Sequence, residues 1–142
     1  MKTIVIAMLS ILICSFSIKK TTVSFNEIVL ASGGGFTGMV EGFVVDNRGK
    51  VYKCVGKGEC KKDQFIRKLS KKEFKELKNI LYKENLLEIP IQQPGNIYNQ
   101  IKIATKDSTY TIIWNPFSTD TISTKLNVIF DKFHHLIKRR EK

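Results

Sequence analysis

The chain has 142 residues and a formal net charge of +11, from 24 lysines and arginines against 13 aspartates and glutamates. That length suits one core and excludes a kinase-sized catalytic fold. The charge favours acidic partners, namely anionic lipid, an acidic polymer or an acidic protein face.

From the N-terminus, Lys2, the apolar run Ile4 to Ile13 and then Ser15-Phe16-Ser17 read as a signal peptide over residues 1–17, cleaved before Ile18. The run is shorter than the ~20 apolar residues that span a bilayer, although an uncleaved anchor is a competing reading. Cys14, directly after Ile11-Leu12-Ile13, raises another: a lipoprotein signal with Cys14 as the lipidation site and a membrane-anchored product. Export to the periplasm, the cell surface or the medium is the preferred expectation, and it argues against nucleic acid as a partner. Cleavage removes one base and no acid, leaving +10 over residues 18–142, read as a single α+β domain.

Residues 22–31 are rich in β-branched and aromatic side chains and predict a strand, with its alternation broken at Asn26-Glu27 as by a bulge. "SGGGFTGMV" follows, with Gly33, Gly34, Gly35, Phe36 and Gly38. The spacing Gly33-x-Gly35-x-x-Gly38 is that of a dinucleotide fingerprint and of a kinase glycine loop. A dinucleotide site needs a helix next, whose N-terminal N–H groups hold the pyrophosphate. Here Met39-Val40-Glu41-Gly42-Phe43-Val44-Val45 reads as a strand, and no kinase catalytic motif follows. The expectation is a glycine-rich turn that binds no nucleotide, its glycines serving positive φ or close backbone approach, with Phe36 packed or displayed.

Asp46-Asn47-Arg48-Gly49 is a turn signature, and Lys50 to Cys54 returns as the partner strand. Cys54 and Cys60 enclose Val55-Gly56-Lys57-Gly58-Glu59 and suggest a disulfide of modest stabilising effect in an exported chain. Zinc is the alternative. It needs about four ligands, and the other soft ligands, His134 and His135, are sequence neighbours that point ~100° apart on a helix. Residues 57–72 read as a basic connector leading into a helix, with the cluster Lys57, Lys61, Lys62, Arg67, Lys68, Lys71 and Lys72.

Ser70-Lys71-Lys72-Glu73 is a capping box, with Leu69 and Phe74 at the staple positions. Phe74, Leu77 and Leu81 then share one face of a helix ending near Tyr82 to Asn85. Pro94-Gly95 reads as a type II turn. Residues 96–105 and 109–114 form a second hairpin across Lys106-Asp107-Ser108. After Pro116, the caps Ser118, Thr119 and Asp120 open a last helix. Its stripe Leu126, Phe130, Phe133 and Ile137 packs on a sheet.

The sum is an α+β fold: an antiparallel sheet of four to five strands built from two hairpins, with two helices packed on one face. No set of catalytic residues and no cofactor-binding or metal-binding residues emerge. Cys54 or Cys60 would be the nucleophile of an enzyme only as a free thiol. A non-catalytic role is therefore expected.

"SGGGFTG" on a first hairpin, "LSKKEFKELKNILYKENLLEIP" as a capped helix, "NIYNQIKIATKDSTYTIIW" as a second hairpin and a closing helix over 121–138 together resemble the emfourin-like family of small bacterial proteins. They also resemble related exported lipoproteins. The resemblance implies the fold above and a metalloprotease of the thermolysin family as protein partner, inhibited without a cofactor. The chain differs from that pattern in its export signal, its Cys54–Cys60 loop and its basic connector, and the resemblance assigns no inhibitory residue. Beside it stands a basic envelope protein that binds an anionic surface or lipid.

Overall fold

The computed structural model describes residues 24–89 and 91–139. The expectations for the signal peptide and for Cys14 lie outside the described residues. Among those described, six strands form one antiparallel sheet in the order β4-β3-β2-β1-β5-β6. They are β1 (Phe25–Gly34), β2 (Met39–Asp46), β3 (Lys50–Lys57), β4 (Lys61–Lys68), β5 (Ile97–Thr105) and β6 (Thr109–Trp114). Helix α1 (Lys71–Lys83) connects β4 to β5, and α2 (Thr121–Lys138) follows β6. The α+β fold and the two helices are as expected, with one strand more than the expected range.

The extra strand is β4. Its residues were expected to be a connector because the lysines mask the period-two pattern and nearly every side chain is exposed. An edge strand needs only one paired neighbour, and lysines are the usual guard on its open edge. The Lys50↔Lys68 to Val55↔Lys61 ladder carries two irregularities, which bend the edge further.

β1 lies in the middle because both of its faces are apolar. Phe25, Ile28 and Leu30 enter the main core, while Val29 and Ala31 enter a second one. Its expected break is real: the register against β5 shifts between Phe25 and Glu27. The main core joins one sheet face to Leu77 and Leu81 of α1 and to Leu126, Ile129, Phe130, Phe133, Leu136 and Ile137 of α2. Each such side chain contributes about 1.5–3 kcal/mol on burial.

The helix starts follow their caps. Ser70 Oγ accepts from Glu73 N at 3.2 Å, and Glu73 Oε2 accepts from Ser70 N at 2.8 Å. Asp120 Oδ1 accepts from Ile122 N and Ser123 N at 3.0 and 2.8 Å. Trp114, fully buried on β6, donates from Nε1 to Asn127 Oδ1 at 2.8 Å and ties the last strand to α2.

Pro94-Gly95 departs from expectation. A type II turn requires positive φ at its third residue, and Gly95 is not among the positive-φ glycines. The segment is held otherwise. Ile113 of β6 donates to Ile91 O at 2.8 Å and accepts from Gln93 N at 3.0 Å, which draws the chain out along the sheet edge.

Candidate docking site at the hairpin tip

The glycine-rich stretch is the turn between β1 and β2, and a strand rather than a helix follows it. Gly34, Gly35 and Gly38 have φ of +105°, +72° and +62°, conformations costly for other residues. Gly33 serves close approach: a Cβ there would come within 2.8 Å of the Tyr98 ring. The turn is held from both sides. Gly35 N–H donates to Asn96 O at 2.6 Å, and Gly38 O accepts from Gly58 N–H at 2.9 Å. On this braced turn Phe36 is displayed, with relative exposure of 111%.

Two further apolar residues share this end of the sheet. Gly34 is opposite Met39 on β2 and opposite Ile97 on β5, so both flank it on the helix-bearing face. Met39 and Ile97 are exposed at 44% and 46%. Periodicity along the sequence gives no sign of this group, because the register of β5 on β1 brings it together. Lys57, opposite Met39, adds one positive charge beside it.

Cys54 and Cys60 form the expected disulfide. Its surroundings are the less expected part. Both cysteines are buried, packed with Val29, Ala31, Val40 and Val44 on the sheet face away from the helices. The bond therefore closes a second core as well as a turn. Lys62 on β4 reaches Glu27 on β1 at 2.8 Å, across two intervening strands, so the sheet coils around this second core.

The basic cluster does not form one patch. Lys57 belongs to the tip, Lys61 and Lys62 start β4 on opposite faces, and Lys71 and Lys72 lie in the first turn of α1. Lys62 also stands 5.6 Å from the centre of the Tyr52 ring. Arg67 is withdrawn from any surface role. It donates to both carboxylate oxygens of Glu73 at 3.0 and 2.9 Å, and to the carbonyls of Leu136 and Ile137 at 2.7 and 3.0 Å. Lys68 remains exposed at the end of β4.

A cleft of about 410 Å³ opens on the helix-bearing face, between β1–β3 and the end of α2. Ser32, Glu41, Phe43, Lys53, His134 and Lys138 line it. His134 packs between Phe43 and Phe130, with ring centres at 5.4 and 4.8 Å. Burial pushes its imidazole below the usual value, and the Lys138 charge adds to that. Ser32 Oγ donates to Asn99 Oδ1 at 2.7 Å, so its proton is already engaged.

Among the described residues, no group of three His, Cys, Asp or Glu side chains is placed to hold a metal ion. No described helix is long and apolar enough to cross a membrane. No protein-family model matches the chain, and no curated protein matches it.

Proposed function

We propose that the protein is an exported, non-catalytic binding protein that docks on a protein partner through the β1–β2 tip. Its partner class is a metalloprotease of the thermolysin family, which it inhibits. One observation carries the docking reading, a fully exposed phenylalanine on a turn braced by Asn96 and Gly58, while the partner class comes from the resemblance of the sequence to emfourin-like proteins. An exposed aromatic on a mobile loop would lose conformational entropy on binding, whereas a braced one is already ordered. Burying Phe36 in a partner's pocket removes a large apolar area from water at little ordering cost. A disulfide persists in the oxidising compartments where exported proteases act. The test is titration of a thermolysin-like protease with the purified protein. Stoichiometric loss of protease activity is expected, and a protease that stays fully active in molar excess of the protein removes the inhibitor reading.

A second reading is supported by Lys61 and Lys68 on the exposed edge strand β4. In it, the protein binds an anionic envelope surface or lipid, with or without an acyl chain on Cys14. Binding to acidic vesicles should then weaken with salt. Binding that is indifferent to ionic strength counts against this reading.

A further inference from the structure

The cleft beside α2 and the hairpin tip belong to one surface. Ser32 is opposite Glu41, and two residues further along the same strands Gly34 is opposite Met39. Residues two apart in a strand point to the same face, about 6.5 Å from each other. The cleft thus opens directly onto the ledge of Met39 and Ile97, with Phe36 at its outer end.

The cleft's charges are unspent. Lys53 and Lys138 form no ion pair among the described residues, and neither does Glu41. Lys138 stands 5.8 Å from the centre of the Phe43 ring, which forms an apolar wall. Two ammonium groups converging on one cleft attract an anion more than either does alone, and the charge of Lys138 offsets the negative C-terminal end of α2. The neutral His134 ring offers a hydrogen bond without adding charge. Glu41 sets the charge of the ligand: one carboxylate against two ammonium groups suits a single negative charge and opposes a dianion such as phosphate.

We propose that this cleft receives an acidic side chain of the protein partner, held between Lys53 and Lys138, while the neighbouring apolar surface of that partner covers Phe36, Met39 and Ile97. The inference rests on the tip being the docking element and adds the chemistry of the partner: an aspartate or glutamate set beside an apolar patch. A free metabolite would gain nothing from the ledge. The ledge and the cleft are of use together only to a ligand with a surface.

The test uses the full chain and a free probe, so its outcome does not depend on any protease. N-acetyl-glutamate α-amide, a glutamate side chain without other charges, is titrated while the His134 ring protons are followed by NMR. A saturable shift is expected. The Lys53→Ala, Lys138→Ala double variant should weaken it about tenfold or more, and Lys75→Ala, an exposed change on α1, should not. Equal melting temperatures confirm that the variants fold. Any one of these results would overturn the proposal: no saturable shift, an unchanged shift in the double variant, or tighter binding of inorganic phosphate. Probe binding seen only after removal of residues 140–142 would also overturn it, because the cleft would then serve the chain's own tail. Failure of the inhibitor reading shows elsewhere, as a fully active protease alongside an intact probe titration.

Discussion

Arg67 and Glu73 form a two-point ion pair, with both guanidinium–carboxylate contacts at 3.0 Å or less, and it joins three elements. Arg67 belongs to edge strand β4, and Glu73 closes the capping box of α1. The same guanidinium donates to the carbonyls of Leu136 and Ile137 in the last turn of α2. One side chain thus neutralises a buried acid and satisfies helix-end carbonyls that have no partner within the helix. A lysine could not reproduce the planar fork.

Arg67→Ala is expected to destabilise the protein by about 3 kcal/mol, because it leaves Glu73 buried and unpaired. Arg67→Lys should recover only part of that loss. Denaturant unfolding measures both. A loss below about 1 kcal/mol, the scale of a surface pair, would show that the pair is not structural.

The same pair predicts acid sensitivity. The Arg67 hydrogen bonds outweigh the cost of burial and hold the Glu73 carboxyl at about 2, below its ordinary 4.5. The folded state binds this proton less readily than the unfolded state. Its stabilisation is therefore complete above pH 4.5 and is lost as pH falls from there toward 2. Glu73→Gln should flatten the stability profile across that window.

His134 predicts a second, milder dependence. Its imidazole is held below the ordinary 6.5, chiefly by burial and next by Lys138, with Asp131 acting in the opposite direction. The folded state favours the neutral ring, so stability is fully present above pH 6.5 and declines as pH falls below it. His134→Phe should remove this component while keeping the ring contacts with Phe43 and Phe130. Melting temperature between pH 5 and pH 8 is the readout.

Reduction of Cys54–Cys60 is expected to cost about 2 kcal/mol through loop entropy alone. The buried setting adds to this, since the thiols must repack against Val40 and Val44. Cys54→Ser with Cys60→Ser should cost more than reduction, because two hydroxyls then enter an apolar core. Thermal unfolding with and without reductant checks the order.

At the tip, Gly34→Ala and Phe36→Ala should separate stability from binding. A Cβ at Gly34 would overlap the Asn96 carbonyl oxygen, and φ there is +105°, so this change displaces the turn and lowers stability. Gly35→Ala meets no neighbouring atom and carries only the backbone penalty, about 1 kcal/mol. Phe36→Ala should leave the melting temperature unchanged, since the ring touches solvent alone, yet weaken partner binding by at least about tenfold, a hot-spot effect. Inhibition unchanged by Phe36→Ala would remove the tip from the interface.

Local chemistry carried much of this fold. The capping box at Ser70, the Asp46 turn, the stripe of α2 and the pairing of Cys54 with Cys60 each arise between residues close in sequence, and one short stretch suffices to specify them. The dinucleotide reading of the glycine spacing also failed locally, because a strand after Met39 leaves no phosphate-binding helix. Long-range pairing decided the rest. β4 reads as a connector until β3 pairs with it, since an edge strand owes its existence to a neighbour rather than to its own pattern. Arg67 looks like one more surface cation until the end of α2 arrives beside it, 69 residues later in sequence. Met39 and Ile97 become one apolar ledge beside the Phe36 turn only through the register that sets β5 against β1. Lys53, His134 and Lys138 line one cleft only because α2 packs across the sheet. Contacts between distant residues are made by burial of both partners, and burial is a property of the packed chain.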